Sequence, residues 1–366
     1  VAWVLVNSSS VIAVGAQSSL TGGATPFGEN VLLTSELRDM QIVNSKVEVS
    51  AGISIQELSA YLSLNGFWFP PAPTYKDAFV GGIISTNASG AATYKYGSVR
   101  NWVDKLTVIL PQGQVLDIKR GDTIIDKKQD FLIEYTSGET IKVPFPNYPV
   151  PDVPKFSAGY FSSENLDLID LFIGAEGTLG VIVNARLMVE KLNHKKLACL
   201  LEIGDDDQSF DITNKLILES KKFKNNKPRW NLQSVEYIDN RSLLILDSEE
   251  GLLKNFNLSF SDKGSILIVI LEVPIDFTSP DLVNELFSYN DNKGDSLLLE
   301  SFLDILNIYS LIDNSFMSLS DEVSNFEKIL SIREKVPMTL NKKIEKAKKN
   351  IEEGLQKLSC DMIVPF

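Results

Sequence analysis

The residues best placed to do chemistry are glycines set among short hydroxyl side chains. Gly15-Ala16-Gln17-Ser18-Ser19-Leu20-Thr21-Gly22-Gly23 follows the apolar run Val11-Ile12-Ala13-Val14. Glycines at 15, 22 and 23 allow positive φ and let a ligand approach the main chain. Ser18, Ser19 and Thr21 add hydroxyl donors. Successive N–H groups in such a loop form a nest suited to an anion such as a pyrophosphate. Taken alone, the loop reads equally well as a polar surface turn. Two further clusters tilt the balance. Pro70-Pro71-Ala72-Pro73 leads to Gly81-Gly82-Ile83-Ile84-Ser85-Thr86-Asn87-Ala88-Ser89-Gly90 and Tyr96-Gly97; Gly174-Ala175-Glu176-Gly177-Thr178-Leu179-Gly180 comes later. Glycines this dense, beside strands, imply backbone packed against something large and flat, and a dinucleotide is such an object. The competing reading is a set of Gly-rich turns in an all-protein core. No Gly-x-Gly-x-x-Gly and no Gly-x-x-x-x-Gly-Lys-Ser/Thr is present, so the two commonest phosphate loops are not in use.

Short strands must carry these loops. Val31-Leu32-Leu33 and Val47-Glu48-Val49 read as strands. Ser54 to Asn65 reads as a helix: Ser54 caps it, Glu57 stands three residues on, Leu58 and Leu62 supply the apolar face, and Gly66 stops it. Leu106 to Leu110, a Gly-containing turn at 111–114 and Val115 to Ile118 form a hairpin. Thr136-Ser137-Gly138 marks another turn. Prolines at 144, 146, 149, 151 and 154 make residues 144–163 a loop or insert. Val181-Ile182-Val183 and Arg186-Leu187-Met188-Val189 follow as two strands.

Near Lys191 glycine thins out and Lys, Asp, Asn and Leu rise. This shift sets the expected domain boundary, with domains at 1–190 and 191–366. The second part alternates strands (Ile266 to Val273) with helices (Pro280 to Tyr289). Met338 to Leu358 reads as an amphipathic helix, with Leu340, Ile344, Ala347, Ile351, Leu355 and Leu358 on one stripe. The fold class is α+β. Val1 to Val6 reads as the last turns of a helix, and Val364-Pro365-Phe366 stops just after an apolar run, so both ends look cut through structure.

Composition narrows the function. The chain has 366 residues, 44% hydrophobic and 23% charged, which fits globular domains. A formal net charge of −13 is repelled by phosphate backbones and anionic lipid, so nucleic acid is not an expected partner. No apolar run reaches the length of a transmembrane segment. Cys199 and Cys360 make neither a metal spacing nor a disulfide framework. They read as thiols of a reducing compartment, which gives a cytoplasmic expectation, extended to the inner face of a membrane. The single histidine, His194, excludes a histidine pair for zinc. It stands in Lys191-Leu192-Asn193-His194-Lys195-Lys196, which reads as a solvated domain junction and offers no good catalytic base.

The ordered set Gly-x-x-x-Ser-Leu-Thr-Gly-Gly, Pro-Pro-x-Pro, Gly-Gly-x-x-x-Thr-Asn-Ala-x-Gly, Tyr-Gly-x-x-Arg and Gly-x-Glu-Gly-Thr-Leu-Gly-Val-Ile resembles the FAD-linked oxidase family. Its fold is that of vanillyl-alcohol oxidase and p-cresol methylhydroxylase (PCMH). The nearest branch is similar to the glycolate oxidase D subunit, D-lactate dehydrogenases and D-2-hydroxyglutarate dehydrogenases. The resemblance implies a two-subdomain PCMH-type FAD-binding domain lacking its N-terminal part, then a ferredoxin-like α+β capping domain lacking its C-terminal part. It implies that Gly15, Ala16, Gln17, Ser18, Ser19, Leu20, Thr21, Gly22 and Gly23 wrap the FAD pyrophosphate. Pro71, Gly81, Gly82, Thr86, Asn87 and Gly90 would line the flavin and ribityl region, and Tyr96 and Gly97 would close that wall. Glu176, Gly177, Gly180 and Ile182 would lie along the cofactor. Some relatives attach flavin through His or Cys; here the loop has Ala16-Gln17, so FAD is expected to be non-covalent.

In the second domain the resemblance assigns Arg333 and Lys357 to the substrate carboxylate, a task that an Arg fork and a Lys point charge suit. Pro337 stands where the hydroxyglutarate branch has Thr, so that exact substrate does not transfer. The implied reaction is oxidation of a D-2-hydroxy acid of D-lactate or glycolate type, with electrons passed to a cytochrome, quinone, electron-transfer flavoprotein or iron–sulfur protein rather than to NAD. The family's His-rich segment, the expected source of a base and of ligands for any divalent metal, falls beyond Phe366. Rival expectations are a redox-neutral or sugar-acting relative of alkylglycerone-phosphate synthase or aldonolactone oxidase type, and a non-catalytic flavin-binding accessory subunit.

Overall fold

A computed structural model describes residues 1–19, 22–71, 73, 75–126, 130–146, 148–149, 153, 158–222, 229–250, 256, 264–290 and 297–350. The chain divides into two compact units, with one change-over between Leu192 and Asn193.

The first unit is organised by a five-stranded antiparallel sheet. β3 (Met40–Val43), β4 (Lys46–Ser50), β12 (Val181–Met188), β6 (Val103–Ile109) and β7 (Val115–Lys119) lie in the order β3-β4-β12-β6-β7. β6 shows why: Leu106 and Val108 are buried, while Lys105 and Thr107 alternate outward, the period of a strand with one wet face. The outward side chains pair across strands, Lys105 with Asp117 and Arg186 with Glu48. Residues 181–189, expected as two strands, contain the single strand β12. Its pairing with β6 shifts register between Ile182 and Asn184, where the Val183 carbonyl instead accepts from Ala51 N at 3.0 Å. A bulge of this kind bends a strand without ending it.

Helix α2 (Ile55–Leu64) forms where its cap dictates. Ser54 Oγ accepts from Glu57 N, and the Glu57 carboxylate accepts from Ser54 N at 2.9 Å. Ile55, Leu58 and Leu62 bury into the sheet's core, and Gly66 takes φ 75° just past the end. α1 (Ala2–Asn7) leads into β1 (Val11–Val14), which pairs in parallel with β2 (Asn30–Leu33). Residues 15–29 supply the long crossover that a parallel pair requires. α3 (Val80–Ser85), a 3₁₀ turn at Val99–Trp102 and α5 (Leu168–Phe172) join the sheet's core, and α4 (Thr93–Tyr96) lies between the first two in the chain without a buried residue. Three small pairs complete the unit: β5 (Phe67–Trp68) with β13 (Glu190–Lys191), β8 (Ile124–Asp126) with β11 (Asn165–Asp167), and β9 (Phe131–Glu134) with β10 (Thr140–Val143). The described residues of 144–163 form neither helix nor strand.

The second unit runs β14 (His194–Ile203), α6 (Asp206–Lys222), β15 (Asn231–Ile238), α7 (Asn240–Glu250), β16 (Ser265–Pro274), α8 (Ser279–Asn290), α9 (Glu300–Ile308), β17 (Ser315–Leu319) and α10 (Val323–Asn350). Its antiparallel sheet has the order β15-β16-β14-β17. β16 reads Ser-Ile-Leu-Ile-Val-Ile-Leu-Glu-Val-Pro because both its faces are covered. Leu267, Val269, Leu271 and Val273 join one core with α6, α8 and α9; Ile266, Ile268 and Ile270 join another with α7 and α10.

Two expectations for this unit are corrected. His194 is not at a solvated junction: it opens β14 opposite Pro274, its side chain is 11% exposed, and Nε2 lies 3.9 Å from the buried Glu272 carboxylate. The exposed run ends at Asn193, where strand pairing begins. The last helix starts at Val323, well before Met338, and runs through Pro337. Proline has no N–H, so the Arg333 carbonyl one turn earlier lacks its helical donor there. Ile351, Leu355 and Leu358 of the expected stripe lie outside the described residues.

Candidate functional site

The Gly-rich segments of the first unit meet around one short helix, α3. Its N-terminal side is built into the protein. Val80 N donates to Ile53 O and Gly81 N to Ala51 O, both at 2.9 Å. A methyl group on Gly81 would stand 2.8 Å from Ala51 Cβ, so that glycine is required by protein packing. One residue on, the surroundings reverse. Gly82 is exposed, and a methyl there would meet no atom within 4 Å. Thr86, four residues later and therefore on the same helical face, is also exposed; its hydroxyl donates to Gly82 O at 3.0 Å.

The C-terminal end of α3 collects the 174–180 segment. Gly174 N donates to Ile84 O at 3.0 Å and Glu176 N to Ser85 O at 2.8 Å. These bonds satisfy carbonyls that a helix end leaves open. The turn holds three left-handed residues, Gly174 (φ 85°), Glu176 (φ 52°) and Gly177 (φ 79°). Glu176 is the costly one, because its Cβ crowds its own backbone in that region. Asn87, also left-handed at φ 45° and buried, accepts from Arg100 N at 3.0 Å. Glu176, Gly177 and Thr178 remain exposed, and nothing lies within 4 Å of a methyl on Gly177.

The loop after β1 reaches the other end of α3. Gly15 lies against the Phe79 ring, with 3.6 Å from a methyl position to the ring, and Phe79 is the residue before Val80. Gln17 takes φ 51° and Gly22 φ 71°. Among the described residues, the N–H groups of Ala16, Gln17, Ser18 and Gly82 have no acceptor. Gln17, Ser18, Gly22 and Gly23 are exposed; Leu20 and Thr21 lie outside the described residues.

The remaining expected positions sort by environment. Pro71 is buried. Tyr96 packs edge-on to Trp68 at 5.1 Å and Trp102 at 6.1 Å, and its carbonyl accepts from Trp102 Nε1. Gly97 (φ 73°) is crowded by Asn101, and Gly180 by Val108 and the Ile109 carbonyl. Gly90 N donates to Thr93 Oγ1. Ile182 is buried in β12 opposite Val108. In the second unit Arg333 donates to Glu236 at 2.5 Å on β15, and its Nε is buried without an acceptor among the described residues. Lys357 lies outside the described residues.

Sequence reasoning passed over two features. Gly52 is the tightest close approach: a methyl there would sit 2.0 Å from the Thr34 carbonyl oxygen. Its signal was the small pair Ala51-Gly52 just before the Ser54 cap. Arg100 was visible only as the last residue of Tyr-Gly-x-x-Arg. Its guanidinium donates to the Asp170 carboxylate at 3.1 Å, to the Asp170 carbonyl at 2.6 Å and to the Ile173 carbonyl, and it lies 4.1 Å from the Phe161 ring centroid. Burial lowers the Arg100 pKa, while the Asp170 carboxylate favours the charged form.

Comparison with known proteins turns this geometry into a family. Residues 1–119 match the family described as FAD binding domain. The first part of this chain is an FAD-binding domain. The match takes in the loop after β1, α3 and Arg100, and it implies FAD as cofactor. The open, methyl-free backbone at Gly82 and Gly23 fits such a group, since each position leaves room that no protein atom fills.

Among relatives, a D-lactate dehydrogenase of Anaerostipes hadrus is 30% identical over 187 residues, covering 50% of this chain and 32% of that protein. A D-lactate dehydrogenase of Archaeoglobus fulgidus is 30% identical over 176 residues, covering 47% and 31%. A mitochondrial D-2-hydroxyglutarate dehydrogenase of Arabidopsis thaliana is 26% identical over 268 residues, covering 70% and 40%. The matched stretch thus spans about a third of the length of the two D-lactate dehydrogenases. A solved alkyldihydroxyacetonephosphate synthase is similar in fold, with TM-score 0.55 and 14% identity, covering 95% of this chain and 61% of that one. Among the described residues no helix is long and apolar enough to cross a membrane, and no group of three or more His, Cys, Asp or Glu is placed to hold a metal ion.

Proposed function

We propose that this chain belongs to an FAD-dependent oxidoreductase that oxidises a D-2-hydroxy acid of D-lactate or glycolate type. The observation that carries the reading is the junction at α3. The 174–180 segment is hydrogen-bonded to the C-terminal end of this helix and Gly15 packs on Phe79 at its other end, while Gly82, Thr86 and Gly177 stay exposed and the N–H groups of Ala16, Gln17, Ser18 and Gly82 have no acceptor among the described residues. The choice of hydroxy acid rests on the names of the sequence relatives; the likeness to alkyldihydroxyacetonephosphate synthase is one of fold alone.

FAD, when bound, supplies a two-electron acceptor for the hydrogen on the hydroxyl-bearing carbon. The chain's task is to hold it. The open N–H groups of Ala16, Gln17 and Ser18 suit the pyrophosphate, and the loop offers no His or Cys to bond the flavin covalently. Gly82 and Thr86 present a flat helical face, and Glu176 and Gly177 present the turn beside it. Gly81, Gly97 and Gly180 act one step back, by letting protein backbone pack closely.

The domain division is part of the proposal: a PCMH-type FAD-binding domain over 1–190 and a capping domain from 191 onward. The strand order of the second unit, second-third-first-fourth along its own chain, supports a ferredoxin-like reading. There Arg333 and Lys357 would hold the substrate carboxylate. Arg333 is already neutralised by Glu236 and its Nε is buried, so this role requires the side chain to turn toward the substrate. Electrons would pass to a cytochrome, quinone, electron-transfer flavoprotein or iron–sulfur protein.

The test is anaerobic. Full-length protein loaded with FAD is given D-lactate, glycolate or D-2-hydroxyglutarate in turn. Loss of the oxidised-flavin absorbance with one of them is expected. Unchanged absorbance with all three would sink the hydroxy-acid assignment.

A further inference from the structure

We propose that Arg100 is a positioning residue for the cofactor. It sets the spacing between the α3 face and the 174–178 turn, and so governs how tightly FAD is held. The proposal rests on the FAD-site reading above.

Three observations carry it. First, Arg100 ties together segments far apart in sequence. Its main-chain N–H bonds Asn87 Oδ1, at the end of α3; its guanidinium bonds the carboxylate and carbonyl of Asp170 and the carbonyl of Ile173, at the end of α5; its plane lies on Phe161. Second, the bonds to Asp170 O and Ile173 O fall on the last turn of α5 and the residue after it, where carbonyls have no helical donor. The strained turn begins at the next residue, Gly174, and a methyl on Gly174 would stand 3.4 Å from Arg100 Nη2 and 3.3 Å from Asn87 Cβ. The turn is therefore held from below by Arg100 and from the side by the Ile84 and Ser85 carbonyls. Third, the guanidinium has no visible share in ligand binding. Asp170, two carbonyls and an aromatic ring occupy it, and its side chain is 11% exposed.

The electrostatics suit a rigid clamp. Asp170 is shared with Arg120, whose Nη2 lies 3.0 Å from Asp170 Oδ1 and also donates to the Arg100 carbonyl at 2.9 Å. Asp167, 4.0 Å from Arg120, balances the second positive charge and accepts from Gly121 N at 2.7 Å. Two arginines and two aspartates thus leave no net charge to attract an anion. A lysine keeps the charge at position 100 but lacks the planar fork, so it cannot span a carboxylate, two carbonyls and a ring at once. Phe161 and Tyr160 also fasten the Pro-rich insert to this clamp, since Tyr160 Oη lies 2.8 Å from Thr178 Oγ1. The insert and the turn should move together when the clamp is loosened.

The test compares wild type with Arg100→Lys and Arg100→Gln. FAD dissociation constants are read from quenching of flavin fluorescence at a temperature where circular dichroism shows each chain folded. Visible-region circular dichroism of the bound flavin reports its seating. Both variants should weaken FAD about tenfold or more, the equivalent of one charge-assisted hydrogen bond, and should alter the flavin's circular dichroism. A dissociation constant within about twofold of wild type, with lowered thermal stability only, would overturn the proposal and leave Arg100 a plain structural ion pair. If neither variant folds, Phe161→Leu carries the test: it removes the ring beneath Arg100, and an unchanged constant and spectrum overturn the proposal in the same way. Failure of the wild-type chain to bind FAD is a different result. It refutes the underlying site reading, not the role of Arg100 alone.

Discussion

The surface around α3 and the central strand β16 are built on opposite terms. At α3, backbone groups are left open and glycines face empty space. In β16, residues 266–272 lie between β14 and β15 and pair with both, and apolar side chains fill both faces. The second arrangement is complete without any ligand. The first leaves room for something to be laid against it. The difference shows where this protein stores stability and where it keeps a binding surface available, and mutations should respond to the two regions in different ways.

The largest expected effect is in the completed region. Leu271→Ala empties a fully buried position in β16 and should cost about 2–5 kcal/mol. Urea denaturation would show it as a lowered midpoint for the second unit. A change below about 1 kcal/mol would mean that the two cores are not the closed layers described.

Gly82→Ala sharpens the contrast. A helical alanine in place of glycine should stabilise the FAD-free protein by roughly 0.5–1 kcal/mol, because the methyl meets no protein atom. The same methyl should weaken FAD about tenfold, a loss of roughly 1.4 kcal/mol of binding. Calorimetry with and without FAD checks both signs in one series. Equal affinity would show that Gly82 does not face the cofactor. Gly81→Ala is the control: it should destabilise the FAD-free protein through the clash with Ala51.

A smaller effect is expected at the α2 cap. Ser54→Ala should cost about 1 kcal/mol, seen as a lowered melting point with little change in FAD affinity. The smallest concerns its partner. The Glu57 pKa is lowered, chiefly by the Ser54 backbone N–H, so this carboxylate contributes stability above its ordinary pKa. That contribution is lost as pH falls through the depressed folded value. Glu57→Gln should therefore lower the melting point at neutral pH, and the gap should close in acid below the usual carboxylate range. A gap that persists there would assign the effect to helix propensity instead.

Much of the local structure was legible in sequence. The Ser54/Glu57 cap, the 106–118 hairpin and the run Ile266 to Val273 each carry a period or a cap decided within a few residues. Boundaries failed where long-range contacts decided them. β12 continues through residues 184–185 because β4 and β6 pair with it on either side, and α10 passes Pro337 because its apolar face is already packed at Phe326, Ile329 and Ile332. Arg100 was quoted as part of a motif but not weighed as a clamp, since its partner Asp170 stands 70 residues away.

The sequence by itself determined that the loop after Val14, residues 81–90 and residues 174–180 are unusually rich in glycine, that no Rossmann or P-loop pattern explains them, and that they resemble an FAD-binding set. What each glycine is for was decided only by the tertiary structure. A glycine is read as permission for close approach, and sequence does not say whether protein or ligand makes that approach. At Gly52, Gly81 and Gly180 it is protein, through Thr34, Ala51, Val108 and Ile109; at Gly23, Gly82 and Gly177 the space is open. The reason is physical: the missing side chain is a local property, while the atom that would have met it arrives from a distant part of the chain.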